Sequence, residues 1–164
     1  MNKISRNFLG PGGPNVTRGY WNRPEGTARA FVDGFRLTGD AGFMEPDGTF
    51  FLVDRKKDMI ISGGFNVYPR TIEDAIYEHP DVVECAVLGI ADAYRGEAAK
   101  AFVVLRPGAA SLTLDVLREF LRERRGRHEM PAALEIRHSL PRTPVGKLSR
   151  KKLADEERNR AASR

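Results

Sequence analysis

Asp54-Arg55-Lys56-Lys57-Asp58-Met59-Ile60-Ile61-Ser62-Gly63-Gly64-Phe65-Asn66-Val67-Tyr68-Pro69 joins two differently patterned halves of a 164-residue chain. The charged run Asp54 to Asp58 is too polar to be buried in a strand. Met59 to Ile61 is a short apolar strand, Gly63-Gly64 is a turn, and Pro69 opens a helix at the position where its missing N–H costs nothing. Polar joint, strand, glycine loop and helix in that order predict a moving connection with a functional loop beyond it. A surface turn before an ordinary hairpin is the other reading of the same residues.

Downstream of the joint the apolar residues take helical spacing at Ile72, Ala75 and Ile76 until His79-Pro80 stops them. Val82 to Ile90 and Ala99 to Leu105 have strand composition and length. Thr113 caps a second predicted helix with Leu114, Leu117, Phe120 and Leu121 on one face, Arg124 and Arg125 near its negative end and Gly126 as its stop. Leu134 to Ile136 is a further strand. Ser149 caps a last helix whose tail, from about Asp155, is predicted to fray.

Upstream, Met1 to Thr17 is rich in Gly, Pro and Asn and reads as irregular chain. A turn-like segment, Gly19 to Thr27, leads to a short helical stretch around Ala28 to Phe31, closed by Asp33-Gly34. Phe35 to Thr38 is a short strand. Ala41 to Met44 and Thr49 to Val53 form a hairpin about Glu45-Pro46-Asp47-Gly48, whose proline and Asp-Gly are turn chemistry. The fold class is therefore α+β: a small carboxyl-terminal domain, 55–164, with a short sheet flanked by helices. It is preceded by residues 1–54, too few to bury a core of their own, with the hinge around 54–58.

Composition bounds the function. An apolar fraction of 41% suffices for a core, and net charge +5 with pI ≈ 9.6 suits an anionic partner or simply a soluble surface. No apolar run reaches membrane-spanning length and no secretory signal opens the chain, so a cytoplasmic protein is expected. The single Cys85, in the apolar run 82–90, reads as a buried strand residue, and His79, His128 and His138 lack metal spacing. The basic residues near the carboxyl terminus alternate with Glu119, Glu123 and Glu129, which argues against a nucleic-acid face.

Candidate chemistry sits at three places. A strand ending in Gly39-Asp40 sets a carboxylate where it could accept ribose hydroxyls, or forms a plain turn. Gly63-Gly64 either lets a ligand approach the backbone or supplies a positive-φ turn. Pro141-Arg142-Thr143-Pro144-Val145-Gly146-Lys147 is a proline-stiffened loop presenting an ammonium suited to a phosphate, or merely solvated. Arg150, Lys151 and Lys152 place cations in the first turn of a helix, against its dipole, a conflict that a nearby phosphate would remove and that solvent and salt would screen.

Gly19-Tyr20-Trp21-Asn22-Arg23-Pro24-Glu25, Thr38-Gly39-Asp40, Asp54-Arg55-Lys56-Lys57-Asp58, Gly63-Gly64-Phe65-Asn66-Val67-Tyr68-Pro69 and Pro141 to Lys147 together resemble, in order and spacing, the carboxyl-terminal motifs of the adenylate-forming acyl-CoA synthetases. The resemblance covers about Pro14 to Leu153. It implies a two-step ligase: a carboxylate attacks the α-phosphate of Mg-ATP to give acyl-adenylate and pyrophosphate, then the thiol of coenzyme A displaces AMP. The carboxyl-terminal domain rotates between the steps. It further implies that Asp40 and Arg55 bind the nucleotide, that Lys57 is the hinge, that Gly63, Gly64 and Phe65 line the coenzyme A channel, and that Lys147 serves adenylation. The aromatic at Phe65, where many relatives carry glutamate, is similar to the fatty-acyl and malonyl-type branches; the family resemblance as a whole implies a carboxylic acid substrate, with a fatty acid expected.

Met1 to Gly13 does not resemble the family strand expected there. The phosphate loop, acyl pocket and magnesium ligand of such enzymes belong to a large amino-terminal domain outside this sequence, so no metal ligand is expected within it. Residues 1–54 correspond to the tail of that domain, which would be supplied in cis or in trans. A free-standing nucleotide- or coenzyme A-binding module, or a trans-complementing subunit, is the alternative.

Overall fold

The computed structural model describes Pro14 and residues 16–162; the irregular chain expected up to Gly13 and the last two residues of the tail lie outside the described residues. The chain divides into two compact units, Met1–Lys57 and Asp58–Arg164.

The amino-terminal unit is built from short local elements. Helix α1 (Pro24–Ala30) begins with a proline in its first turn and starts four residues before the predicted stretch. Phe31 is not helical: β1 (Phe31–Val32) pairs with β2 (Phe35–Arg36), and Asp33 and Gly34 make the two-residue turn with φ of 50° and 81°. Asp33-Gly34 is thus the left-handed turn of a hairpin rather than a helix stop. β3 (Asp40–Met44) and β4 (Phe50–Arg55) form the expected second hairpin, its turn closed by hydrogen bonds from Gly48 N to Glu45 O and from Thr49 N to Asp47 Oδ1. Asp54 and Arg55 belong to β4, opposite Ala41 and Asp40. A two-stranded ribbon leaves polar side chains in solvent, so a charged run extends the strand where a buried sheet would reject it. Ala41 is the buried apolar side chain of this unit among its described residues, while Trp21, Phe35, Met44, Phe50, Phe51 and Leu52 are exposed.

The carboxyl-terminal unit is a five-stranded sheet. A 3-10 turn at Lys56–Asp58 leads to β5 (Ile60–Ser62), which pairs with β6 (Phe65–Val67), as in the alternative reading of a surface turn before an ordinary hairpin. Helix α2 (Pro69–Tyr77), then β7 (Val82–Asp92) and β8 (Gly96–Leu105) follow. Helix α3 (Leu114–Arg122), β9 (Ala133–Ile136) and α4 (Arg150–Ala162) complete it. The order is β6-β5-β8-β7, with β9 parallel to β8.

Period-2 alternation along β7 and β8 sorts the apolar residues to two faces. Cys85, Val87, Ala99, Ala101 and Val103 pack with Ile72, Ile76, Leu117 and Leu121 of α2 and α3. Ala86 and Phe102 pack with Leu140 and Leu153 on the opposite face, beside α4. Cys85 is buried at 2% exposure, and burial, then the charge of Glu73, raises its thiol pKa.

Thr113 Oγ1 accepts from Val116 N at 3.3 Å, so the predicted cap forms. The helix nevertheless ends at Arg122, short of Gly126, which has φ −68° and opens a separate 3-10 turn whose Glu129 carboxylate accepts from Gly126 N at 3.0 Å. Ser149 Oγ lies 3.4 Å from Lys152 N at the start of α4.

The fraying expected from Asp155 is not seen: α4 continues to Ala162. Its outer turns are tied to the sheet by Arg137–Glu156 (2.5 Å), Lys100–Glu157 (2.7 Å) and Arg160–Glu135 (2.6 Å). Partial burial raises the Glu135 pKa, but hydrogen bonds from Arg160, Lys100 and Arg137 outweigh it and bring the carboxyl from 4.5 to about 2. A folded-state value below the unfolded one stabilises fully above about pH 4.5 and is lost as pH falls toward 2. Glu135→Gln should therefore lower unfolding free energy at neutral pH, by up to about 3 kcal/mol, and flatten the acid limb, read by urea unfolding across that range. An unchanged acid limb would rule out this role for Glu135.

Candidate functional site

The three sequence-predicted sites fall on three turns or strand ends. In the amino-terminal unit, β3–β4 register sets Asp40 opposite Arg55, with Asp40 Oδ1 3.4 Å from Arg55 Nε. Gly39 has φ 75°, its carbonyl accepts from Lys56 N at 2.9 Å, and Thr38 Oγ1 accepts from Asp40 N at 3.2 Å. Asp40 keeps a quarter of its side chain exposed and Arg55 well over half, so a carboxylate and a guanidinium share one solvent-facing edge. Lys57, exposed in the 3-10 turn, is the last residue before the division between the units.

Gly63 and Gly64 form the two-residue turn between β5 and β6, with φ of 55° and 83°. Two consecutive left-handed residues are what such a hairpin turn requires, and only glycine adopts both without a steric penalty. An added Cβ at either would meet nothing within 4 Å, so within this chain conformation accounts for the pair. The turn is tethered by Gly63 N donating to Arg95 O at 2.9 Å. Phe65, 58% exposed, stacks on the His128 ring at a centroid distance of 4.9 Å.

Lys147 projects from a tight turn. Gly146 N donates to Thr143 O at 2.9 Å, Thr143 N to Lys147 O at 2.7 Å, and Lys147 N to Thr143 Oγ1 at 3.2 Å. Arg142 and Leu148 pair as an isolated bridge, and Ser149 N donates to Pro141 O at 2.7 Å. The loop is therefore set by backbone hydrogen bonds as well as by its prolines, and the Lys147 side chain is exposed.

Nor does the first turn of α4 need an outside phosphate for Arg150. Its guanidinium makes a two-pronged contact with the Glu73 carboxylate, at 2.9 and 2.6 Å, and Glu73 Oε1 also accepts from Val87 N at 2.7 Å. Lys152 Nζ donates to Arg142 O at 3.2 Å. Sequence reasoning passed over Glu73. Its signal was a carboxylate at helical spacing from Ile76 on the apolar side of α2.

The chain brings Asp40 and Arg55 together, and keeps the glycine turn and the Lys147 turn apart. Arg142 of the lysine turn reaches Glu84 at one end of β7, while the glycine turn meets Arg95 beyond the other. Between those ends the strand from Glu84 to Asp92, at about 3.3 Å per residue, runs roughly 26 Å. Among the described residues no group of three or more His, Cys, Asp or Glu is placed to hold a metal ion, and no helix is long and apolar enough to cross a membrane.

The glycine turn gives a direct test. Gly63→Ala and Gly64→Ala should each lower the unfolding free energy by about 1 kcal/mol, since only the left-handed conformation is penalised. Gly64→Asn should cost less, because asparagine tolerates that region. Equal losses for Ala and Asn in urea unfolding would refute a conformational cause.

Residues 71–147 match the AMP-binding enzyme C-terminal domain. The chain is 50% identical over 145 residues to a long-chain-fatty-acid–CoA ligase of Bacillus subtilis, an alignment covering 88% of this chain and 26% of the relative. It is 45% identical over 141 residues to a 2-succinylbenzoate–CoA ligase of Geobacillus kaustophilus, covering 86% and 29%. Its fold superposes on ATP-bound MatB from Rhodopseudomonas palustris with a TM-score of 0.80 at 39% identity, over 88% of this chain and 29% of that one. The chain spans about a quarter of the length of the curated relatives it matches. Residues 71–147 are thus an AMP-binding enzyme C-terminal domain, and the relatives that the chain matches are CoA ligases.

Proposed function

We propose that this chain supplies the carboxyl-terminal, mobile part of an ATP-dependent acyl-CoA ligase acting on a fatty acid. The opposite-end placement of the two loops carries this reading: a single active site can use the Lys147 turn or the glycine turn, and the rigid sheet between them prevents both at once. Two half-reactions with a rotation about Lys57 between them fit that constraint.

In the first step a carboxylate oxygen bonds to the α-phosphorus of ATP and pyrophosphate leaves. Both reactants are anions. The Lys147 ammonium, on a turn whose backbone is already hydrogen-bonded, would offset their repulsion and hold the line of attack. Asp40 would accept the ribose hydroxyls, with Arg55 beside it on the nucleotide.

In the second step the thiol sulfur of coenzyme A bonds to the acyl carbon and AMP leaves. The exposed Gly63-Gly64 turn would then border the pantetheine arm, and Phe65, held by its stack on His128, would flank it. The magnesium accompanying ATP would be held by the large domain. The exposed apolar side chains of the amino-terminal unit, Trp21 at 93% and Leu52 at 64% among them, support its packing against such a domain. A chain of this length would then be inactive alone. The fatty acid is favoured by the name of the Bacillus subtilis relative.

The test is carboxylate-dependent pyrophosphate release from Mg-ATP over a panel of fatty acids, by the chain with and without a separately produced amino-terminal domain of that relative. Activity is expected from the combination only. Lys147→Ala should lower adenylation by orders of magnitude while thioester formation from preformed acyl-adenylate continues. Activity of the chain alone, an inactive combination, or equal loss of both half-reactions would each overturn the proposal.

A further inference from the structure

We propose that Arg142 is a positioning residue for Lys147, acting with Glu84 to fix the lysine turn against the sheet; the catalytic part of this inference rests on the adenylation role proposed above. The backbone hydrogen bonds of residues 143–147 set the shape of the turn but not its direction relative to β7. Leu140, packed in one cluster with Ala86 of β7, seats the base of the turn, and Arg142 fixes the direction of its tip. One guanidinium nitrogen donates to Gly146 O at 2.9 Å, next to Lys147, and another donates to Glu84 Oε1 at 2.7 Å on β7. A planar guanidinium can span two acceptors in a fixed relation, which a single ammonium cannot reproduce.

The far end of the segment is held independently. Arg150, three residues beyond Lys147, grips the buried Glu73 carboxylate, and Glu73 also accepts from Val87 N. On one side of Lys147 the segment reaches β7 directly through Glu84, and on the other through Glu73 of α2, which accepts from Val87 of the same strand. Without the Arg142 side chain, the base of the turn would stay seated by Leu140 and by the Ser149 N to Pro141 O bond, while its tip, residues 143–147, would lose its tie to Glu84.

Exposure separates positioning from folding. The Arg142 side chain is 54% exposed, and an ion pair so open to solvent contributes little to stability. Displacing a reacting group by an ångström, in contrast, costs about 10²-fold in rate. The pair should therefore matter far more to adenylation than to unfolding.

The experiment compares wild type, Arg142→Ala, Arg142→Lys, Glu84→Ala and Lys147→Ala in the chain and in the combination described above. Amide hydrogen exchange at Gly146 and Lys147 is read beside that of β8, and kcat and KM for ATP beside thioester formation from preformed acyl-adenylate. For Arg142→Ala we expect an unchanged midpoint of unfolding and about tenfold faster exchange confined to the turn. Adenylation kcat should fall about 10- to 100-fold with little change in KM, and thioester formation should persist. Arg142→Lys should restore part of the loss. Glu84→Ala cuts the same contact from the other side and substitutes for Arg142→Ala if that variant fails to fold.

Unchanged exchange at Gly146 and Lys147 would overturn the clamp. Faster exchange with undiminished adenylation, while Lys147→Ala abolishes it, would overturn the positioning role and leave the function of Lys147 standing. Intact adenylation in Lys147→Ala, or an inactive combination, would overturn the function reading and the catalytic role of the clamp with it, whatever the exchange shows.

Discussion

The buried carboxylate of Glu73 is where three parts of the carboxyl-terminal unit are joined. At 6% exposure, a charged group is tolerated only with strong, well-directed partners. Glu73 has them in the Val87 amide and the two-pronged Arg150 guanidinium, so α2, β7 and the start of α4 are bound to one point. The same contact answers the electrostatics of α4. A cation in a first turn is disfavoured by the helix dipole, at about 0.3–1 kcal/mol; an opposite charge brought from α2 offsets this for Arg150. The segment carrying Lys147 thereby gains a fixed downstream end.

Around this junction the sheet does two things at once. Its alternating faces separate a core under α2 and α3 from a smaller one under α4, so both helical layers are seated by the same two long strands. Its length keeps the glycine turn and the lysine turn at opposite ends. Under the proposed function, a rigid spacer between the two turns is a physical reason for such a unit to present them alternately rather than together. The lock of α4 onto β8 and β9 by Glu135, Glu156 and Glu157 adds rigidity on the layer nearest the lysine turn.

The amino-terminal unit is organised differently. Two short hairpins and one helix satisfy their backbone locally, yet bury little: Phe43 and Phe51 stack at 5.1 Å on a ribbon whose Phe50 and Leu52 remain exposed. Its candidate chemistry, Asp40 beside Arg55, is a product of strand register alone. Turn geometry and cross-strand pairing therefore suffice to set Asp40 beside Arg55, whereas the lysine and glycine turns depend on a packed core.

Local rules made much of this legible in the sequence. Helical spacing of Ile72, Ala75 and Ile76, the β-rich runs at 82–90 and 99–105, Thr113 as a cap and Glu45 to Gly48 as a turn all express short-range stereochemistry, which acts in any context. The left-handed Gly63-Gly64 pair belongs with them, being one of the two readings its residues allowed. Tertiary structure decided the rest, because the deciding partners are distant in the chain. Arg150 meets Glu73 across 77 residues, and Arg142 meets Glu84 across 58. Helix α4 runs on to Ala162 because Lys100, Glu135 and Arg137 lie beneath it, and Gly126 starts a turn instead of ending a helix because Glu129 folds back onto its amide. No local pattern encodes such pairings; they exist only once the sheet has brought its strands and helices into register.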